Sequence, residues 1–308
     1  VFAMSPDKTV EALVTRHGFR VLTWPPGESE AEWLSSVVNH VRPYAAVFDT
    51  RVEGGAAAVR AVRQTGCLTA VVDDASERRL EADLAFYPPA PQAFRLEWRG
   101  AQTQKFIGWD WAVLGAEPLP YRPRAENSAP NVLVTMGGSD PLAQTVPAVR
   151  ALSRVLGTHR LTVAVGQGFS SRPDILRAIR QSPGPLTILD GVEDLRPAMA
   201  GADLAVSMFG VTAYELAAHG VPALYLTLTD DHARSAQAFV DAGLGRIAGA
   251  AGCGEVAIAD AARELLNDPN SRIAMAAAGL RTVDGRGAAR IASYIAERLQ
   301  SGTRRKAG

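Results

Sequence analysis

Hydrophobic and polar positions along this chain switch repeatedly between two periods. Short apolar runs bounded by glycine, proline or carboxylates read as buried strands. Longer stretches with apolar residues every third or fourth position read as amphipathic helices. In the first third, VFAM predicts a strand, Thr9 to Arg16 a helix, and FRVLTW a strand closed by Pro25 and Pro26. Glu28 to Val41 predicts a helix stopped by Pro43. AAVFD (Ala45 to Asp49) reads as a buried strand, Ala56 to Thr65 as a helix, and LTAVVDD (Leu68 to Asp74) as a strand ending in carboxylates. Such alternation builds βαβ units and a parallel sheet with helices on both faces.

The periodicity lapses between Pro118 and Pro130, where EPLPYRPRAENSAP reads as a joint. A second alternating series follows, with strands at NVLVTM, LTVAVG, LTILD, ADLAVS and ALYL. Helices are expected at Thr145 to Leu156, Pro173 to Gln181, Glu193 to Ala200, Arg234 to Ala242, Glu255 to Leu266, Ser271 to Ala278 and Asp284 to Leu299. The pattern therefore predicts an α/β chain with two domains, residues 1–120 and 130–308, and a cleft between them as the natural ligand site. The chain starts at Val1 on what reads as an interior strand, so the first domain is expected to lack its first strand and loop. The last helix is a candidate to pack back on that domain.

The run Ala205 to Leu226, AVSMFGVTAYELAAHGVPALYL, reads strand, turn, helix, turn, strand. Thr212 and Glu215 have the spacing of a capping box, and Gly220 and Pro222 close the helix. A helix that opens after a strand offers free N–H groups and a dipole that favour phosphate. One reading is purely structural capping. The other places a diphosphate at Gly210 and Thr212, with Glu215 accepting two ribose hydroxyls. VLVTMGGSDP (Val132 to Pro141) offers a second turn: Gly137 and Gly138 let backbone approach a ligand, while Ser139 and Asp140 either meet that ligand or cap the next helix. It is neither a Walker loop nor a dinucleotide fingerprint. LTDDHARSA (Leu228 to Ala236) lies at the same rim. His232 there could protonate a leaving group or hold a sugar hydroxyl, beside Asp231 and Arg234; a solvated helix start explains the cluster equally well. Asp49, Asp73 and Asp74 end strands of the first domain and read as ligand-facing or as caps. His17, His40, His159 and His219 read as structural or exposed.

Composition narrows the classes. Lys+Arg and Asp+Glu number 32 each, so the basic footprint of a general nucleic-acid binder is missing. Cys67 and Cys253 fit no disulfide framework and no metal spacing, which points to a reducing, cytoplasmic setting and to no bound metal. No apolar run approaches the roughly 18 residues of a bilayer span, and no segment reads as a secretory signal.

VTMGGSDP, DLAVSMFGVTAYELAAHGVPALYL and VDGRGAARI (Val283 to Ile291) together resemble the SpsG/PseG family, whose members include spore-coat glycosyltransferases and a nucleotide-sugar hydrolase. The second domain is also similar to that of MurG-type glycosyltransferases. VFDTR, VVDD and FIGWDWAVLGAE fall in family order over the first domain. The resemblance implies a GT-B-like fold, two Rossmann-like parallel-sheet domains facing across a cleft. It implies a nucleotide sugar, of the UDP type, bound mainly by the second domain. Carried onto this chain, Glu215 binds the ribose, Phe209, Gly210, Val211 and Thr212 cradle the diphosphate, and Gly191 and Val192 present backbone to the base. His232 falls near the donor sugar, and Arg234 is a candidate for leaving-group charge. The hydrolase's Gly-x-Gly-His motif does not occur in these residues and either belongs to the first loop expected ahead of Val1 or is lacking, while its Gly-Gly-Ser-Thr is replaced by Phe209 to Thr212. The expectation is therefore a glycosyltransferase that cleaves the anomeric C–O bond to the diphosphate and needs no cofactor. Hydrolysis of a UDP-sugar and non-catalytic nucleotide-sugar binding are the alternatives. Sugar, acceptor, general base and oligomeric state are left open by the residues.

Overall fold

The computed structural model describes residues 1–50, 55–121, 129–157 and 160–306, the last five of these by backbone alone. His159 and residues 122–128 of the proline-rich joint lie outside the described residues. The chain folds as two compact units. The N-terminal unit takes Val1–Pro88, Ala93–Trp111 and Ala289–Gly308; the C-terminal unit takes Pro89–Gln92 and Ala112–Ala288.

In chain order the first elements are β1 (Phe2–Met4), α1 (Lys8–Arg16), β2 (Val21–Thr23), α2 (Glu30–Val41), β3 (Ala45–Phe48), α3 (Ala56–Gln64), β4 (Leu68–Val72), α4 (Arg78–Glu81), β5 (Leu84–Tyr87), α5 (Pro91–Arg95) and β6 (Gln104–Ile107). Helix α2 shows how local chemistry sets its ends. Ser29 Oγ accepts the Glu32 amide at 3.2 Å and donates to the Glu32 carboxylate at 2.7 Å. Arg42 takes the left-handed conformation at the other end, and Pro43 follows. Strands β3-β4-β5-β6 form one parallel sheet in that order, while β1 and β2 pair only with each other.

Two expectations are corrected here. AAVFD is not a buried strand: β3 is half-buried, with Val47 52% exposed, because it is an edge of its sheet. Strands β5 and β6 also extend the sheet beyond the predicted series. Leu84–Tyr87 is buried at every position, but Gln104–Ile107 carries only a half-buried apolar end, which leaves little periodicity to read.

The C-terminal unit holds β7 (Asn131–Thr135), α6 (Thr145–Ser153), β8 (Arg160–Val165), α7 (Arg172–Arg180), β9 (Leu186–Asp190), α8 (Arg196–Ala200), β10 (Leu204–Met208), α9 (Val211–Ala218), β11 (Ala223–Thr227), α10 (Asp230–Asp241), β12 (Gly245–Ala250), α11 (Glu255–Leu266) and α12 (Pro269–Thr282). Its six strands are parallel in the order β12-β11-β10-β7-β8-β9. The order reverses between β10 and β7, which makes this a doubly wound sheet with one switch point. Alternate side chains sort to its two faces. Val132, Val134, Val206, Met208, Leu224 and Leu226 pack one way, against α6 and α11 residues such as Leu152 and Ile258. On the other side Tyr225 meets the rings of Phe209 and Phe239. Each such buried side chain contributes about 1.5–3 kcal/mol.

The final helix, α13 (Gly287–Lys306), sends Ile291 and Ile295 into a cluster with Ala70, Leu84 and Phe86 of the N-terminal unit. Phe86 stacks on Phe106 at 4.9 Å and meets Trp111 and Tyr294.

Candidate functional site

Ligands of doubly wound sheets bind beyond the carboxyl ends of the strands, at the switch point. In the C-terminal unit that place is defined by the turns after β7 and β10, neighbouring strands in register from Leu204↔Val132 to Ser207↔Thr135. The first turn holds Gly137, Gly138 and Ser139, with Gly138 and Ser139 exposed. The second holds Phe209, Gly210, Val211 and Thr212. The structure thus brings these two predicted segments side by side.

The start of α9 differs from the capping box that the spacing predicts. Its N-cap is Gly210, which has no side chain, and the helix begins at Val211. Thr212 lies within the first turn and caps nothing. Among the described residues no side chain accepts the first free amides of α9, so they are left for solvent or an anion. Val211, 45% exposed, borders them. One turn on, the Glu215 carboxylate is half-buried, and no hydrogen bond or ion pair holds it among the described residues. Burial pushes its carboxyl above the usual range. A desolvated carboxylate with no partner beside an uncapped helix start is a candidate binding group. The other end of α9 is held tightly. Gly279 of α12 crosses at Ala217, where any side chain would meet the Ala217 carbonyl. His219 Nδ1 donates to the Glu215 carbonyl (2.7 Å), and its Nε2 accepts the Leu119 amide (3.1 Å). That pair of bonds defines a neutral tautomer, and burial pulls the His219 pKa down.

Phe209 does not face the turn. Its ring is 6% exposed and packs against Tyr225, Phe239 and His232, and its amide already donates to the Leu226 carbonyl at 2.8 Å. It forms the wall behind the site. The Tyr225 hydroxyl is buried in this cluster without a hydrogen-bond partner among the described residues.

The Asp231–His232–Arg234 cluster sits at the start of α10, four residues earlier than the predicted helix. Thr229 caps it, accepting the His232 amide at 3.2 Å. Asp231 is ion-paired with Arg234, and both are exposed. His232 is half-buried, and its Nδ1 is enclosed without a partner among the described residues. Gln92, which the sequence did not single out, fastens this turn: its amide donates to the Asp231 carbonyl (2.9 Å) and accepts from Ser235 Oγ (3.0 Å).

Gly191 and Val192 lie after β9, three strands from β10, about 14 Å across the sheet at ordinary strand spacing. Both backbone groups of Gly191 are engaged: its amide donates to Val165 O at 2.9 Å and its carbonyl accepts from Gln167 Nε2 at 3.1 Å. Only Val192, 43% exposed, has an open position there. A second glycine pair, after β8, also escaped the sequence reading. Gly168 donates to Gly138 O at 3.2 Å, and a methyl on Gly166 would run into that same carbonyl. The Gly137–Ser139 turn therefore rests on the Gly166–Gly168 turn.

Asp140 holds the amides at the start of α6, whereas Asp74 closes a local turn ahead of α4, whose N-cap is Glu77. Asp140 accepts the Gln144 and Thr145 amides at 2.7 and 2.9 Å, and Asp74 accepts the Ser76 amide at 2.8 Å. Among the described residues no group of three His, Cys, Asp or Glu is placed to hold a metal. No helix among them is long and apolar enough to cross a membrane.

No family model matches the chain. It is 29% identical over 216 residues to the UDP-N-acetylglucosamine–N-acetylmuramyl-(pentapeptide) pyrophosphoryl-undecaprenol N-acetylglucosamine transferase of Acidithiobacillus ferrooxidans, a match covering 68% of this chain and 58% of that protein. It is 25% identical over 173 residues to the spore coat polysaccharide biosynthesis protein SpsG of Bacillus subtilis, covering 54% and 49%. The chain therefore spans about half the length of the curated relatives it matches. Among solved structures it superposes on Acinetobacter baumannii MurG with a TM-score of 0.70 at 15% identity, covering 96% of this chain and 90% of that one. It superposes on the Neisseria meningitidis UDP-GlcNAc 2-epimerase bound to UDP-GlcNAc with a TM-score of 0.61 at 12% identity, covering 94% and 89%. The fold is GT-B-like, with two Rossmann-like units of parallel sheet, as the motifs implied.

Proposed function

We propose that this chain binds a nucleoside-diphosphate sugar of the UDP type in its C-terminal unit and transfers the sugar to an acceptor in polysaccharide or glycoconjugate biosynthesis. The observation that carries this reading is the pairing of Glu215 with the uncapped start of α9: a half-buried carboxylate without a protein partner, one turn from backbone amides that no side chain accepts. A ribose supplies two vicinal hydroxyls to such a carboxylate, and a diphosphate supplies the anion that the amides favour. Two relatives, an N-acetylglucosamine transferase whose name begins with UDP-N-acetylglucosamine and a spore coat polysaccharide biosynthesis protein, support the same class.

In the transfer, the bond between the anomeric carbon and the diphosphate oxygen breaks and its electron pair stays on the diphosphate. The acceptor oxygen bonds to the anomeric carbon and gives up its proton to a general base. The free amides of Val211 and Thr212 face the charge that develops on the leaving group, strengthened by the α9 dipole. His232 stands at the neighbouring rim as a group for a sugar hydroxyl or the leaving oxygen. Arg234 contributes less, because Asp231 already neutralises it. Gly137 to Ser139 supply the facing turn, and Val192 the open backbone toward the base.

Titration calorimetry with UDP tests the reading. Glu215→Ala is expected to weaken UDP binding about 10–100-fold, the loss of a charge-assisted hydrogen-bond pair. Glu215→Gln removes a charge whose pKa is raised by burial. A raised carboxyl penalises the folded state at neutral pH and not below the usual carboxylate range, so this variant should leave the empty protein as stable as before or more so. Unchanged UDP affinity in Glu215→Ala would remove the assignment. UDP release from UDP-sugars only when an acceptor is supplied supports transfer, and release without one means hydrolysis.

A further inference from the structure

Two helices leave the switch point of the C-terminal sheet, α6 after β7 and α9 after β10, and their starts are built in opposite ways. At α9 the cap is Gly210, and among the described residues no side chain accepts the first amides. At α6 the same groups are taken. The Asp140 carboxylate accepts the Gln144 amide at 2.7 Å and the Thr145 amide at 2.9 Å, both bonds buried. The Ala148 amide donates to the Gln144 carbonyl at 3.0 Å, and Pro147 has no N–H to offer. Any helix start favours an anion. At α6 that anion is a side chain of the protein itself.

The loop that carries this carboxylate is tightly bent. Gly137, Asp140 and Ala143 all lie in the left-handed region, with φ of 74°, 43° and 52°, and the last two bear side chains that disfavour it. Burial changes sharply along the loop. Gly138 and Ser139 are exposed, Asp140 is buried, Pro141 to Ala143 are exposed, and Gln144 and Thr145 are buried. The loop is fastened on both sides of Asp140. Gly168, in the turn after β8, donates to the Gly138 carbonyl at 3.2 Å. Gln144 Nε2 donates to the Leu142 carbonyl at 2.7 Å, and its Oε1 accepts the amide of Gly252, in the turn after β12, at 2.9 Å. A cap ordinarily stands next to its helix, as Ser29 does for α2. Asp140 instead reaches four and five residues ahead, so it fixes the loop together with the helix. Strained backbone of this kind persists only where its surroundings over-determine it, and it collects at ligand clamps.

We infer that Asp140 is a positioning residue for phosphate recognition: it supplies α6 with an internal anion and thereby pins the β7–α6 loop so that the exposed Gly138 and Ser139 face the diphosphate. The role rests on the nucleotide reading of this unit and names the part of the ligand that the loop serves. A buried carboxylate at α6 repels a second anion there, so the phosphates are drawn to the open start of α9. Gly138 and Ser139 stand on the neighbouring strand end, one residue past the register pairing of Ser207 with Thr135 and Met136. In the same reading the base lies toward Val192, three strands from β10. Loss of the Asp140 carboxylate therefore weakens the hold on the phosphates and not the hold on the nucleoside.

Affinities for UDP and for uridine, measured side by side on the 308-residue protein by calorimetry and ligand-observed NMR, test this role. Their ratio is what the diphosphate adds. Asp140→Ala should cut the ratio about 10-fold while uridine affinity stays within about 2-fold. Asp140→Asn keeps the shape and one acceptor, so it should cut the ratio about 3-fold; it carries the test if the alanine variant does not fold. Formate, the size of the lost carboxylate, should restore part of the ratio to Asp140→Ala and leave the unaltered protein unchanged. A ratio that stays the same in a folded variant overturns the inference. So does an equal fall for UDP and uridine, which would make Asp140 a helix cap and nothing more. Formate that restores nothing would mean that an anion at α6 is not what holds the loop. Failure of the nucleotide reading looks different: the unaltered protein would bind neither UDP nor uridine, and the role of Asp140 would fall with it.

Discussion

The two units are built from the same alternation of strand and helix, yet they bury their apolar side chains to different degrees. The C-terminal sheet is continuous, with β10 and β11 buried at every position and a single large core on one face. Among the described residues the N-terminal unit has smaller clusters, centred on Val59 and Tyr87, on Phe86 and Ile295, and on Val38 and Val62. Large apolar side chains of its first fifty residues, among them Phe2, Phe19, Tyr44 and Val47, are exposed. Burial of apolar area is the main term that offsets chain entropy. The N-terminal unit should therefore be the weaker one, opening first under heat or denaturant, while the nucleotide site sits in the unit best able to hold a fixed geometry.

The largest expected effect breaks the comparison apart. Phe86 is fully buried and meets Phe106, Trp111 and Tyr294, so it links β5, β6 and α13. Phe86→Ala should cost about 3–5 kcal/mol, a large share of a typical domain's stability. Its thermal unfolding, followed by circular dichroism, should split into two steps, with the N-terminal unit melting first. UDP binding at a temperature below both steps should persist. A single transition shifted as a whole would mean that the units do not unfold separately.

A smaller effect sharpens the contrast from the other side, by loosening one turn in the well-packed unit. Gly166 allows its turn to lie against the Gly138 carbonyl, and a methyl there would collide with backbone. Gly166→Ala should cost about 1–3 kcal/mol through overpacking. Because the displaced backbone is the Gly137–Ser139 turn, UDP affinity should fall by more than Glu215-independent folding losses explain, measured by calorimetry on protein that is still folded by hydrogen exchange. Unchanged affinity with lowered stability would place the turn outside the nucleotide site.

Such packing explains what could and could not be read from the residues. The strand–helix alternation was legible because parallel strands covered on both faces are continuous apolar runs, as LTAVV and ALYLT are. The apposition of GGS and FGVT followed from a general rule on strand ends rather than from any single motif. The capping box at Thr212 and Glu215 is a false lead, because its spacing is also met when a glycine caps two residues earlier and the helix starts at Val211. The resemblance places Phe209 against the diphosphate, but its amide and ring belong to the core. Gln92 is invisible in the sequence, since a lone glutamine after Pro91 carries no pattern and acts only through residues far along the chain. Gly166 looked like the ordinary end of a strand; only the tertiary contact with Gly138 gives it a reason.

The smallest expected effect narrows the gap between the units by acid. His219 is buried in the C-terminal unit with both ring nitrogens engaged, Nδ1 as donor and Nε2 as acceptor. Burial is the main cause that lowers its pKa, with Arg196 adding to it; the Glu215 carbonyl and Asp194 oppose. Below the usual imidazole pKa of about 6.5 the unfolded chain takes up a proton that the folded protein resists. The stability from neutral His219 is therefore complete above that pH and is lost as pH falls through the lower folded value, where Nε2 can no longer accept the Leu119 amide. The histidines of the N-terminal unit, His17 and His40, are exposed. Lowering the pH from 7 toward 5.5 should thus lower the melting temperature of the C-terminal step and leave the N-terminal step nearly unmoved. His219→Gln should start less stable at pH 7 and lose this acid sensitivity. Equal acid shifts in both steps, or a His219→Gln protein with an unchanged pH profile, would show that the neutral histidine is not what distinguishes the two units in acid.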